Sequence, residues 1–235
     1  MIGTRQGYPR WHTASAQGPR SLNADAVGAY AAAGGPGLVF ALADGVGDAP
    51  AAAHAARMAA ATAARTPVHK GPVAAILAAQ EAVLAGSTGD AVLVVAMPHE
   101  SGYRIAWVGD ARAYTWDGAT LRRLTTDHTL AEYFRARHQP TTPRMEHMVT
   151  TSVRTTKEHE IGTVEVSGSG LLLTSDGVHK TLSADAIRDI LAEPGRGAAG
   201  LVETAISLGG SDNATALYVE PLEVDSTTIR FPVAA

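Results

Sequence analysis

An α+β fold, with antiparallel sheets covered by helices, is predicted by three features of the sequence. Short apolar runs separated by turn residues follow one another through the middle of the chain with no helix between them. Helical stretches come in pairs, one pair before these runs and one pair after them. A regular strand–helix–strand alternation is absent, which argues against a Rossmann-like parallel sheet. No repeat period and no low-complexity linker divide the 235 residues, so a single domain is expected.

The elements read as follows. Leu38 to Ala43 (LVFALA) is a continuous apolar run stopped by Asp44-Gly45, a buried strand ending in a turn. Asp48 to Arg65 is alanine-rich and free of glycine, a helix capped at Asp48 or a neighbour with Pro50 in its first turn. Pro72 to Ala85 is a second helix, opened by Gly-Pro and closed by Gly86. Ala91 to Met97, Tyr103 to Val108, Ala113 to Trp116 and Thr120 to Leu124 read as four successive strands. Their separators, His99 to Gly102, Gly109-Asp110 and Asp117-Gly118, are turn chemistry. A short helix is expected over Leu130 to Arg137, then strands at Gly162 to Val166 and Leu171 to Thr174. Helices near Ser183 to Ala192 and Gly197 to Leu208, a closing strand at Ala214 to Val219 and a tail complete the chain.

Composition narrows the function. Hydrophobic residues make up 46% and charged residues 18%, the balance of a globular protein that buries a core. A net charge of -4 with no lysine or arginine stripe argues against nucleic acid as a partner. Cysteine is absent, so disulfides, zinc-thiolate sites and cysteine nucleophiles are excluded. The histidines show no His-x-x-x-His spacing, so zinc is not expected. Met1 to Arg20 does not read as a signal peptide, and no run approaches the roughly 18 apolar residues of a membrane span. A cytoplasmic protein without a membrane partner is therefore expected.

The chemistry lies in the aspartates beside apolar strands. Asp44 follows LVFALA, Asp110 follows YRIAWVG, Asp176 follows LLLTS, and Asp212 precedes ATALYV. A carboxylate at the end of a buried strand is costly to desolvate unless a cation neutralises it. Few basic residues lie close to these positions in sequence. A hard divalent cation, which prefers oxygen ligands, would resolve their repulsion. Glycine after Asp44 would let a backbone carbonyl approach such an ion. A pair of these ions activates water and orients a phosphoryl group. Taken singly, each Asp-Gly remains an ordinary turn after a strand.

Six short motifs in order resemble the PPM-type (type 2C) metal-dependent protein serine/threonine phosphatases, in their compact bacterial form. They are Arg20-Ser21-Leu22-Asn23-Ala24-Asp25, Asp44-Gly45-Val46-Gly47-Asp48, and Val108-Gly109-Asp110-Ala111-Arg112-Ala113-Tyr114. Leu124-Thr125-Thr126-Asp127-His128-Thr129, Leu172-Leu173-Thr174-Ser175-Asp176-Gly177-Val178 and Ser211-Asp212-Asn213-Ala214-Thr215 complete the set. The resemblance covers about Gly18 to Glu220, within a single phosphatase domain spanning 1–235 with a tail at 221–235. It implies a sandwich of two antiparallel β-sheets flanked by pairs of α-helices. It also implies two Mn²⁺ or Mg²⁺ ions held by Asp44, Asp176, Asp212 and the Gly45 carbonyl, with Arg20 clamping the phosphate. Asp25 and Asp110 are weaker metal candidates. The implied substrates are phosphorylated proteins, products of serine/threonine kinases, hydrolysed by a monomeric enzyme without a covalent intermediate.

Departures from the motifs set the alternatives. Ala24 stands where the family usually carries a glutamate that steadies the second metal through water, a change expected to weaken metal binding. Lys180 stands where many members carry an aspartate, and its charge opposes a third ion near Asp110 and Asp176. Gly89 to Val92 replaces the family's Met-Gly-Thr-Thr. These changes motivate a second reading, a regulatory module of the same fold with weak or no turnover; a phosphatase of small metabolites is a third. The segment between Asp127 and Thr151 is expected to form a flap, with Arg135, Arg137, His138, Arg144 and His147 either attracting phosphopeptides or simply solvated. Arg112 is expected to support its loop, His128 to be structural, and His54 to be half-buried on its helix.

Overall fold

The computed structural model describes residues 10–31, 37–100, 102–168 and 170–221; residues 222–235 of the expected tail lie outside them, as do 1–9. The first half runs β1 (Trp11–Ala16), β2 (Asp25–Ala31), β3 (Leu38–Gly45), α1 (Pro50–Arg65), α2 (Gly71–Gly86), β4 (Ala91–His99) and β5 (Gly102–Val108). The second runs β6 (Arg112–Trp116), β7 (Leu121–Arg123), α3 (Leu130–Arg135), β8 (Gly162–Ser167), β9 (Leu171–Thr174), α4 (Asp176–His179), α5 (Ala184–Ala192), α6 (Gly197–Ser207) and β10 (Ala214–Val219). Two five-stranded sheets form, ordered β2-β3-β4-β5-β8 and β1-β10-β9-β6-β7, with every pairing antiparallel. The expected α+β sandwich is the observed one.

Four layers follow from which side chains each strand turns inward. Phe40 and Leu42 of β3, with Val94 and Ile105, meet Leu171, Leu173 and Leu217 of the other sheet in a core between the sheets. The alternate residues Val39, Ala41 and Ala43 face away, onto α1 and α2. Leu172, Ala214 and Ala216 face α5 and α6 on the opposite side. Strand period 2 thus sends one apolar run into two cores. Alanine along α1 brings that helix close to its sheet. A Cβ on Gly28 of β2 would lie 2.4 Å from the Ala60 carbonyl oxygen, so only glycine fits beneath the helix.

Several boundaries differ from the sequence reading. β3 continues through Asp44 and Gly45, which pair with Val92 and Ala91 rather than forming a turn. Gly109-Asp110 is no hairpin turn either, because β5 and β6 belong to different sheets and the chain crosses between them there. β1 (WHTASA) and β2 (DAVGAYA) went unread as strands; small and polar residues hide their alternation. The α1 cap falls on Ala49 without a side-chain bond, with Pro50 at the first helical position. His54 is exposed, a correction: the buried stripe of α1 is Ala52, Ala53, Ala55, Ala56, Ala59, Ala60, Ala63 and Ala64. No helix among the described residues is long and apolar enough to cross a membrane.

Candidate active site

One end of the sandwich gathers five carboxylates. Strand alternation carries Phe40, Leu42 and Asp44 on one face of β3, so Asp44 points toward the space between the sheets. Asp25, the first residue of β2, is its direct partner in the ladder. Two like charges facing across an antiparallel pair repel. Asp110 enters from the β5–β6 crossing, Asp176 opens α4 after β9, and Asp212 immediately precedes the Asn213–β10 segment. A cavity of about 160 Å³ is lined by Arg20, Asp44, Gly45, Asp110, His147, Asp176, Lys180 and Asp212. Asp25 is not among the residues that line it. A groove of about 530 Å³ between α1 and α2 is larger, yet it brings a single carboxylate, Glu81, to its lining. Convergent charge, not size, marks the site.

Local packing fixes these positions. A Cβ on Gly177 would lie 2.0 Å from the Asn213 carbonyl oxygen, so the residue after Asp176 is glycine by close approach. Ser175 Oγ donates to Asp25 Oδ2 (2.7 Å) and accepts from the Thr215 amide (2.9 Å), tying the two sheets together beneath the carboxylates. Asn213 Nδ2 donates to the carbonyls of Gln17 (2.7 Å) and Leu22 (2.9 Å), while its Oδ1 accepts from the Ala24 amide (2.8 Å). Asn213 therefore pins the loop that presents Arg20 and Asp25. Neither role was read from the sequence, although both residues sit beside a site aspartate at the end of an apolar strand. A side-chain hydroxyl or amide at such a junction is the available signal.

Two cations enter the cluster, Lys180 beside Asp110 and Asp176, as expected from its position in the motif, and Arg20 beside Asp212. Lys180 Nζ lies 2.7 Å from Asp110 Oδ2 and 2.9 Å from Asp176 Oδ2. Arg20 Nη2 lies 2.5 Å from Asp212 Oδ2, and its Nε donates to the Ser211 carbonyl (3.2 Å). Five carboxylates thus share two positive charges. Burial pushes the Asp44 carboxyl well above its ordinary range, reinforced by Asp25, Asp176, Asp110 and Asp212. Burial likewise lifts Asp25 to about 6 against the bonds from Thr215 and Ser175. Asp110 is raised because burial outweighs the ammonium beside it, and Asp212 because burial and Asp176 outweigh Arg20. Among the described residues, Asp25 Oδ1 and Asp176 Oδ1 are buried without a hydrogen-bond partner.

Two orphaned carboxylate oxygens in a pocket with more carboxylates than cations fit a hard divalent cation. Among the described residues, no three His, Asp or Glu side chains already converge as a metal cage. The carboxylates are turned instead toward Lys180, Arg20 and Ser175. The donor set suits the ion in chemistry and charge.

Around this centre the supporting residues are distributed as follows. Arg112 meets Asp127 through Nε (3.0 Å to Oδ1) and Nη2 (2.7 Å to Oδ2), supporting its loop as expected. His128 bonds Gly109 through both backbone and ring, a structural role. In the segment between Asp127 and Thr151, Arg135 pairs with Glu132 and Glu146, and Arg137 lies over the Tyr133 ring at 3.5 Å. His138 and Arg144 are exposed, while His147 reaches the cavity wall.

In sequence and in architecture the chain is similar to bacterial serine/threonine phosphatases of the PPM type. No family model matches the chain. The serine/threonine phosphatase stp of Listeria welshimeri is 33% identical over 139 residues, 54% of this chain and 55% of that relative. The match thus spans about half the length of the curated relative. Stp1 from Staphylococcus aureus superposes with a TM-score of 0.77 at 20% identity, covering 93% of this chain and 98% of that one. The catalytic domain of PstP, a structure with two manganese ions, gives a TM-score of 0.74 at 25% identity, covering 90% and 97%.

Proposed function

We propose that this chain is a metal-dependent phosphatase that hydrolyses phosphoserine and phosphothreonine on other proteins, acting as a single domain. The observation that carries this reading is the set of five convergent carboxylates with two buried oxygens left without partners. The manganese in the PstP structure supports it from outside the chain.

Asp44, Asp176 and Asp212, with the Gly45 carbonyl, are the residues that would hold two Mn²⁺ or Mg²⁺ ions. When bound, such ions activate water and neutralise the charge that develops on a phosphoryl group. The remaining work falls to the chain itself. Arg20 lies at the cavity with, among the described residues, its Nε and one Nη engaged, and a guanidinium carries five N–H donors. It has donors left to hold a phosphate while its bond to Asp212 fixes its direction. Asp25 supplies a carboxylate beside Asp44, where the buried Ala24 offers none. Ser175 orients Asp25, and Asn213 holds the loop that carries Arg20. The flap presents His147 toward the incoming peptide.

Lys180, seated inside the cluster, favours a second reading, a binding module of the same fold with little turnover. One assay separates the two: hydrolysis of a phosphothreonine peptide with Mn²⁺, Mg²⁺ or EDTA. Metal-dependent turnover that EDTA abolishes is the expected result. No turnover at any metal concentration would favour the binding module.

A further inference from the structure

The two cations of the acidic cluster differ in how they are held. Arg20 stands at the edge, its side chain one-third exposed, and touches one carboxylate. Lys180 is more deeply set, with 17% of its side chain exposed, and bridges two carboxylates at 2.7 and 2.9 Å. Its backbone is fixed as well. Lys180 caps the C-terminus of α4, and its amide donates to the Asp176 carbonyl at 2.8 Å, so ammonium and carboxylate stand one helical turn apart. Asp110, 4% exposed, faces this ammonium from the β5–β6 crossing.

A cation bonded to one oxygen from each of two buried carboxylates occupies the place a metal ion would take between them. The unpartnered oxygens fall elsewhere: Asp25 Oδ1 and the second oxygen of Asp176. Lys180 therefore divides the cluster into a part already neutralised and a part still lacking a cation. Building on the metal-dependent reading above, we propose that Lys180 is a tethered counter-cation. Its ammonium permanently fills the cation position between Asp110 and Asp176, and divalent ions are confined to the Asp44, Asp176 Oδ1 and Asp212 side. A divalent ion arriving beside Asp110 would meet the ammonium at a few ångströms, where like charges repel strongly in a low-dielectric site. Removing the ammonium exposes two buried carboxylates that then require another cation.

The test is a count of bound metal, made on the whole chain by native mass spectrometry and by equilibrium dialysis against Mn²⁺. Lys180→Met keeps the aliphatic stem, and Lys180→Gln keeps a donor without the charge. Both are expected to bind one more Mn²⁺ per chain than the unaltered protein. The double variant Lys180→Met with Asp110→Asn is expected to return to the original count. In the absence of metal, Lys180→Met is expected to melt at a lower temperature than the unaltered chain, and Mn²⁺ to restore much of the loss. An unaltered chain that binds no Mn²⁺ would overturn the metal-dependent reading itself. An unaltered chain that binds Mn²⁺, with the same count in both folded Lys180 variants, would overturn only the tethered cation.

Discussion

Two groups of buried charge, one around Asp127 and one around Asp176, are built on opposite principles. In one, Asp127, 5% exposed, is held by both Arg112 and Arg123, so a single carboxylate is saturated by two guanidinium groups. In the other, five carboxylates share one ammonium and one guanidinium, and two of their oxygens find no partner among the described residues. The first arrangement is complete within the chain and behaves as scaffold. The second is incomplete, and its missing charge is what a ligand would bring. Buried polar groups are ordinarily satisfied, and two of the four orphaned atoms among the described residues are carboxylate oxygens of this one cluster, which points to function.

The largest expected effect comes from removing a carboxylate on the incomplete side. Asp44→Asn or Asp212→Asn is expected to lower turnover of a phosphothreonine peptide on the order of 1,000-fold, because ions of this kind contribute several kcal/mol to such a reaction. Circular dichroism is expected to be unchanged, since neither side chain packs the core. Turnover within a few-fold of the unaltered protein in either variant would remove these aspartates from the mechanism.

Stability provides a sharper contrast, because the same kind of substitution is expected to change sign between the two groups. Asp127→Asn leaves two partly buried arginines facing no carboxylate and is expected to cost about 3 kcal/mol in urea unfolding. Asp44→Asn in metal-free protein removes a charge facing Asp25 across the ladder and is expected to stabilise. If both substitutions destabilise the metal-free chain equally, the division into complete and incomplete groups fails.

The sequence made one of these groups far easier to read than the other. Asp44, Asp110, Asp176 and Asp212 were recognisable because each carboxylate stands beside an apolar run, where its charge is out of place. The sandwich followed from the same runs, together with paired helices. What escaped was whatever depends on the third dimension. Asp25 sits in a strand of small residues whose alternation is faint, so its position opposite Asp44 had no local signature. Lys180 was visible as a charge opposing an ion, but only the short α4 aims its ammonium at both Asp110 and Asp176. Ser175 and Asn213 act across 150 and 196 residues, on Asp25 and on the Gln17 carbonyl. Spacing along the chain carries no trace of such bonds.

The smallest expected effect concerns His179, which stands between the two groups and feels the cations of both. It is buried at the end of α4, with Nδ1 2.8 Å from Thr174 Oγ1 and Nε2 without a partner. Burial holds its pKa well below the ordinary 6.5, and Arg112, Lys180 and Arg123 add to the depression. As pH falls below 6.5 the unfolded chain takes up a proton that the folded chain refuses. The contribution of a neutral His179 is therefore present above pH 6.5 and lost below it, by up to about 1.4 kcal/mol per pH unit. The acidic cluster works in the other direction in metal-free protein, because burial first and neighbouring carboxylates second raise the pKa values of Asp25 and Asp44, and protonation relieves both costs. The net slope of the unaltered protein thus mixes opposing terms. Subtracting the urea stability of His179→Gln, measured at each pH from 7.5 to 5, cancels the carboxylates and leaves the histidine. A difference that shifts steadily toward the variant as pH falls is expected, since glutamine keeps a polar partner for Thr174 and takes up no proton. A difference independent of pH would mean that His179 is protonated in the fold, which would require a counter-charge drawn from the acidic side and would erase the boundary between the two groups.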